Sequence, residues 1–120
     1  MKFEFKFLKR DTIKAYCVAF NKKKEEYVIS SYLFDIENYL EELKNELIKK
    51  TFECVYGQVW AGDFIEDKVH IYWLYDPDEE EGKAEISRKG MLQLVEKWIE
   101  FRKKEIPKDY ENYSEIIEVE

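Results

Sequence analysis

Hydrophobic and charged residues alternate at the start of the chain. Phe3, Phe5 and Phe7 are separated by single charged residues, which is the two-residue period of a half-buried antiparallel strand. The pattern predicts a strand over residues 2–8 with the phenylalanines facing the core. The next run, IKAYCVAF, is apolar at nearly every position and predicts a more central strand over residues 13–20. These two strands are expected to form a hairpin.

Three later segments also have strand character. Residues 27–33 (YVISSYL) predict a third strand, and residues 52–61 and 67–75 predict two more, joined by a turn at 62–66. Gly57 indicates a bulge or bend. In the last strand the stronger apolar set is predicted to lie under the helices: Val69, Ile71, Trp73 and Tyr75. The opposite face then carries His70, Tyr72 and Leu74.

Two segments have the period of an amphipathic helix. Residues 35–50 have Asp35 in the N-cap position and a continuous apolar stripe: Ile36, Tyr39, Leu40, Leu43 and Leu47. Residues 88–105 follow Ser87 as N-cap and end before Pro107. Their stripe consists of Met91, Leu94, Val95, Trp98 and Phe101. Both stripes predict helices packed on a sheet.

The C-terminal residues 108–120 are polar at first and then contain Ile116, Ile117 and Val119, which indicate either a short edge strand or a dangling arm. The whole pattern predicts one α+β domain over residues 1–120. Its expected architecture is a mainly antiparallel sheet of about five or six strands with two amphipathic helices packed on one face.

Charge is unevenly distributed along the chain. The net charge is −7, but residues 1–24 sum to +6 and the remainder to −13. An acidic surface repels phosphate backbones and anionic lipids, so neither nucleic acid nor membrane is expected as a partner. A basic protein is the favoured partner. The run Lys22 to Lys24 lacks interleaved aromatic residues or glycines and is interpreted as a solvated turn.

The two cysteines, Cys17 and Cys54, lie in apolar runs without C-x-x-C spacing, and we expect two reduced, buried thiols. The first residues alternate charge with phenylalanine, where a secretory signal would need an unbroken apolar segment. No later run approaches about 18 apolar residues. We therefore expect a cytoplasmic protein.

The sequence contains no catalytic, metal or cofactor signature. The acidic run from Asp76 has Glu81 sixth and Ser87 twelfth, whereas a calcium loop of the EF-hand type needs glycine and a bidentate acid there. His70 is the only histidine and has no accompanying nucleophile motif, and the four glycines form no phosphate-binding loop. Two alternatives to a binding protein stay open, namely a small enzyme using carboxylates near His70 and a structural or adaptor subunit.

Residues 63–85 concentrate acid, with nine Asp or Glu against Lys68 and Lys83. This concentration indicates either a solvated loop rim or an electrostatic docking site for a basic protein, with Trp60 or Tyr72 as aromatic anchors. The predicted partner-binding residues are Trp60, Asp63, Glu66, Asp67, Tyr72, Asp76, Asp78, Glu79, Glu80 and Glu81.

The order of elements and two short motifs resemble the small cytoplasmic immunity proteins of bacterial contact-dependent and polymorphic toxin systems. The motifs are W-x-G-x-(F/L), here residues 60–64 (WAGDF), and I-S-(K/R)-x-x-(L/M), here residues 86–92 (ISRKGML). The resemblance covers residues 30 to 105. It implies a non-catalytic protein that binds and neutralises a cognate toxin domain, commonly a basic nuclease. The basic N-terminal third departs from the usual acidic pattern of these proteins.

Overall fold

A computed structural model describes residues 1–10, 13–50 and 54–119, and shows the expected α+β class. These residues form two antiparallel sheets and three α-helices. The strands are β1 Lys2–Arg10, β2 Ile13–Ala19, β3 Cys54–Tyr56, β4 Trp60–Ile65, β5 Lys68–Trp73, β6 Lys83–Ser87 and β7 Ser114–Glu118. The helices are α1 Lys24–Asp35, α2 Leu40–Lys49 and α3 Arg88–Lys103. Short 3-10 turns occupy Glu37–Tyr39, Glu80–Gly82 and Tyr110–Asn112.

The first sheet has the strand order β2-β1-β7. The predicted β1–β2 hairpin is confirmed, and Phe3, Phe5 and Phe7 are all buried. The C-terminal segment forms the edge strand β7 rather than a dangling arm, and it pairs with β1. The amino group of Met1 donates to the carbonyl of Val119 at 2.8 Å, which joins the two ends of the described chain.

The second sheet has the order β3-β4-β5-β6, so the single sheet predicted from the sequence is wrong. The predicted strand over 52–61 is two strands separated by a turn at Gly57, and residues 52–53 lie outside the described residues. The predicted turn at 62–66 lies mostly within β4, because the chain reverses at Glu66 and Asp67. Strand β6 was not predicted, although Ala84 and Ile86 alternate inward with exposed or half-buried neighbours.

The segment predicted as a third strand, residues 27–33, lies in helix α1. Its buried apolar residues are Val28, Ile29, Tyr32, Leu33 and, just beyond the helix, Ile36. These positions follow the helical period, and the β-branched residues among them gave the segment its misleading strand character. Strands β3 to β6, which follow α1 and α2, pair among themselves, whereas β7 returns to β1.

The helix predicted over 35–50 is shorter than expected. Asp35 ends α1 instead of capping the next helix, and α2 begins only at Leu40 after a 3-10 turn. Leu40, Leu43 and Leu47 are buried as predicted. Tyr39 does not belong to the buried stripe, since 48% of it is exposed.

Helix α3 confirms the second helix prediction. The Oγ of Ser87 accepts a hydrogen bond from the backbone N–H of Gly90 at 2.9 Å, which is the expected N-cap. All five predicted stripe residues are buried. Trp98 and Phe101 pack on Phe5 with ring centroids 4.9 and 5.4 Å apart, so α3 covers the first sheet through aromatic contacts. Among the described residues no helix is long and apolar enough to cross a membrane.

Helix α1 is tied to the first sheet by the fully buried carboxylate of Glu26. Its oxygens accept hydrogen bonds from the backbone N–H of Lys2 at 2.9 Å, of Asn21 at 2.9 Å and of Lys23 at 3.3 Å. The Asn21 amide donates a fourth at 3.3 Å. Burial raises the pKa of Glu26, but these hydrogen bonds outweigh burial and hold the pKa below its usual value.

The other end of α1 is tied to the second sheet by Tyr32 and Asp35. The Tyr32 hydroxyl donates to the carbonyl of Val55 at 2.8 Å, and one oxygen of Asp35 accepts from the N–H groups of Val59 and Trp60, both at 2.8 Å. Each of these two side chains packs against a glycine, where a larger residue would clash with it. A Cβ on Gly57 would lie 2.1 Å from Asp35, and one on Gly62 would lie 2.5 Å from the Tyr32 hydroxyl.

Replacing Glu26 by Gln should lower the free energy of unfolding by about 1 to 3 kcal/mol at pH 7, because an amide leaves buried donors without an acceptor. The folded-state pKa is depressed, so the wild-type contribution is complete above the ordinary glutamate value of 4.5. It is lost as the pH falls through the folded-state value. Urea unfolding between pH 3 and 7 measures both effects.

The matched control is Glu96→Gln, which removes the same charge from an exposed position on α3. This control should change the free energy of unfolding by only a few tenths of a kcal/mol, as exposed substitutions do. Equal losses in the two variants would show that Glu26 contributes only its charge to the stability of the fold.

Candidate functional site

The second sheet has one buried face and one open face. The buried face packs on the core through Val55, Phe64, Val69, Ile71, Ala84 and Ile86. The open face carries the alternate side chains of the same strands. Most of them are exposed or half-buried, with Tyr56 45% and Ile65 52% exposed, whereas the small Ala61 is buried. Apolar and aromatic side chains in such positions are typical of a surface that binds another molecule.

Strand register aligns the polar residues of this open face in rows. Asp63 lies opposite Cys54 on β3 and His70 on β5, and His70 in turn lies opposite Glu85 on β6. A neighbouring row places Ala61 between Tyr56 and Tyr72. Directly opposed residues in antiparallel strands have their Cβ atoms about 5 Å apart, so the side chains of each row are in reach of one another.

Tyr56, Tyr72 and Asp63 form a hydrogen-bonded chain. The Tyr56 hydroxyl donates to Oδ1 of Asp63 at 2.8 Å, and the two tyrosine hydroxyls lie 3.1 Å apart. Because the single Tyr56 proton is used toward Asp63, Tyr72 is the donor in the second bond. The hydrogen bonds to Tyr72 and to Asp63 raise the pKa of Tyr56 above its usual value. The Tyr56 hydroxyl therefore stays protonated, and the hydrogen bonds hold both tyrosine side chains in place.

At the β6 end of the row that contains Asp63, His70 and Glu85 belong to a cluster of ion pairs. Glu85 pairs with Lys68, and its other oxygen lies 3.5 Å from Nδ1 of His70. The contact with Lys68 lowers the pKa of Glu85 and raises that of Lys68. Since these groups are exposed, the pairs orient side chains more than they stabilise the fold.

A groove of about 750 Å³ runs along this face toward the acidic segment. Its walls include Tyr72, Asp63, His70 and Ile65 from the sheet, with Lys24 and Glu25 from α1 and Pro77 and Glu80 from the segment after β5. Concave surfaces of this size hold small ligands or protruding side chains of another protein. Among the described residues no group of three or more His, Cys, Asp or Glu is arranged to hold a metal ion.

The residues predicted from the sequence as a docking site occupy four places, one of which contains only Trp60. Asp63 and Tyr72 lie on the open face, whereas Glu66 and Asp67 form the β4–β5 turn. Asp76, Asp78, Glu79, Glu80 and Glu81 are exposed beyond the other end of β5. A six-residue strand spans about 20 Å, so the acidic groups do not form one cluster.

Trp60 is on the other side of the sheet from Asp63. Successive side chains of a strand point to opposite faces, so two residues that are three positions apart lie on opposite faces. Trp60 is half-buried and borders a second cavity of about 430 Å³, together with Tyr27 and Phe34 of α1 and Asp35. The structure therefore does not bring Trp60 together with Asp63 and Tyr72.

Tyr56, Ile65 and Glu85 belong to the open face, and sequence reasoning did not include them. The signal for Tyr56 was its position next to the buried Val55. The signal for Glu85 is the alternation in KAEIS, residues 83–87, where Ala84 and Ile86 are buried and Glu85 is exposed. Pairing between strands that are distant in sequence then decided which alternating residues share a face.

The chain belongs to the family of unknown function DUF5376, whose model matches residues 1–120. No curated protein matches the chain, and no solved structure matches it.

The two cysteines differ, which corrects the expectation that both are buried. Cys54 is exposed on the open face, because β3 is an edge strand. Cys17 is half-buried against Ser30, with its Sγ 3.7 Å from the serine Oγ. Burial raises the pKa of Cys17 to about 12, so its reactive thiolate is scarce near neutral pH.

A thiol reagent added to the native protein at pH 8 should therefore modify one cysteine quickly and the other slowly. Mass spectrometry of quenched samples would identify Cys54 as the fast site, and Cys54→Ser should remove the fast phase. Rapid modification of Cys17 in the Cys54→Ser protein, at the rate seen in denaturant, would contradict its burial.

Proposed function

We propose that this protein is a non-catalytic binding protein that neutralises a basic partner. The proposed partner is a cognate bacterial toxin domain such as a nuclease, and the proposed place of action is the cytoplasm. Binding would occlude the partner's active or substrate-binding surface. Neither nucleic acid nor a membrane is proposed as a direct ligand, because the net charge of −7 repels both.

The observation that carries this proposal is the open face of the second sheet. It combines exposed apolar area on Tyr56 and Ile65 with the fixed polar groups of Asp63 and Tyr72. Tyrosine is enriched in protein interfaces because its rigid ring gives a large contact area at low entropic cost. A sheet face with this composition supports protein binding better than small-molecule catalysis.

The acidic segment after β5 supports the choice of a basic partner. Its five carboxylates are exposed at one end of the groove. Within the described residues, only the Glu80 carboxylate among them forms an ion pair, with Lys83 at 3.5 Å. Exposed charge at the rim of an interface attracts an opposite surface over a distance of about 10 Å at moderate ionic strength. A surface that a nuclease uses for phosphates would meet this segment first.

The two motifs behind the resemblance to immunity proteins have structural roles in this chain. Gly62 gives room to the Tyr32 hydroxyl, and Ser87 caps α3. The motifs therefore account for local structure in this chain, and the choice of binding residues rests on the open face.

A small enzyme is the second candidate function. The register that sets His70 between Asp63 and Glu85 supplies the carboxylates that this alternative needs. His70→Ala separates the candidates, because an enzyme relying on this row would lose its activity. A protein that acts by occlusion would keep most of its affinity.

The direct test uses the protein encoded next to this chain's gene. Co-expression should yield a stoichiometric complex by size-exclusion chromatography and should restore growth to cells that the neighbouring protein inhibits. An active-site variant of the neighbour that is harmless should still bind. Failure of both complex formation and growth rescue would contradict the proposal.

The role of the acidic segment is tested by changing Glu79, Glu80 and Glu81 together to Gln. Stopped-flow association with the captured partner should slow by about tenfold at low salt, with a much smaller change in dissociation, because unpaired rim charges act at long range. The salt dependence of association should flatten. Equal salt slopes for the wild type and the variant would rule out steering by this segment and leave it as a solvated turn.

A further inference from the structure

The groove on the open face contains one carboxylate without a matching cation. Four acids line it: Glu25, Asp63, Glu80 and Glu85. Glu25 lies 3.9 Å from Lys24, Glu80 lies 3.5 Å from Lys83, and Glu85 contacts Lys68 and His70. Within the described part of the chain, no lysine, arginine or histidine nitrogen lies within 4.0 Å of Asp63. The groove therefore lacks one positive charge, and the deficit is at Asp63.

Asp63 is also the most constrained of these acids. Its Oδ1 is held by the Tyr56 hydroxyl, which is itself held by Tyr72, and its backbone is in the interior strand β4. It is half-buried, so solvent screens its charge less than that of the exposed Glu85. A carboxylate fixed in this way loses little side-chain freedom when it pairs with an incoming cation.

We propose that this groove receives a single arginine side chain of the partner protein, with its guanidinium paired to Asp63 and its plane against the Tyr72 ring. The proposal rests on the proposed function and deepens it, since it names the anchor through which a basic partner would be recognised. Lys24 and Lys83 flank the groove and disfavour a second inserted cation.

Arginine fits better than lysine or a metal ion for geometric reasons. A guanidinium is planar, stacks on an aromatic ring and keeps donors available at its edge for a carboxylate. A lysine ammonium is more strongly hydrated and does not use the ring face in this way. A divalent metal would need several carboxylate or imidazole ligands, and Glu85 and His70 already pair with each other.

The test uses Nα-acetyl-arginine N-methylamide as the probe, titrated into the full chain while amide shifts are followed by NMR. Shifts should concentrate at residues 63, 70 and 72. The citrulline analogue, which has nearly the same shape without the charge, should bind about tenfold more weakly, as should the arginine probe with Asp63→Asn. Tyr56→Phe, which frees Oδ1, should also weaken binding.

The matched control is Glu96→Gln, which removes the same charge from an exposed acid on α3, outside the groove. Arginine binding to this variant should equal that of the wild type. Equal binding of the arginine and citrulline probes, or equal losses of arginine binding in Asp63→Asn and Glu96→Gln, would overturn the proposal. Thermal melting of each variant checks that a loss of binding is not a loss of fold.

The outcome is separable from that of the proposed function. In a complex with the captured partner, Asp63→Asn should accelerate dissociation by about tenfold and leave association nearly unchanged, the pattern of a paired charge inside an interface. A partner that binds wild type and Asp63→Asn equally well would keep the proposed function and refute the arginine anchor. Specific arginine binding without any partner complex would support the arginine site and contradict the proposed function.

Discussion

The buried carboxylate of Glu26 joins helix α1 to the first sheet through hydrogen bonds. A fully buried charge is costly unless hydrogen bonds replace its water, and here four donors from β1 and from the loop before α1 do so. These hydrogen bonds fix the position of the N-terminal end of α1 relative to the first sheet. Tyr32 and Asp35 then fix where the same helix meets the second sheet. One helix therefore sets the relative position of the two sheets.

The position of α1 also decides which surface is available for binding. Because α1 and α3 contact the apolar side of the second sheet, the alternate residues of its strands are left on the open face. Tyr56, Asp63 and Tyr72 come from three different strands and meet only because β3, β4 and β5 pair in this register. The glycines at 57 and 62 contribute indirectly. A Cβ at either position would clash with the Asp35 or Tyr32 side chain that ties α1 to the sheet.

Charge on this protein acts in two different ways. The carboxylates of residues 76–81 are exposed and solvated, so their expected contribution is to association rates and to solubility. The groove acids are mostly paired within the fold, and Asp63 is the exception. A net charge counted along the sequence does not distinguish these cases, because it cannot show which acids already have a cation beside them.

Local patterns in the sequence were sufficient to predict the α+β class, the β1–β2 hairpin and the buried stripe of α3, because each depends on a period of two or 3.6 residues. They also correctly placed His70 and Tyr72 opposite the apolar side of β5. The tertiary structure alone decided the division into two sheets, the helical state of residues 27–33 and the separation of Trp60 from Asp63. Those features depend on long-range contacts, such as Glu26 with Lys2 and Tyr32 with Val55, which override local strand propensity. No local pattern could have shown that Asp63 is the groove acid left without a cation.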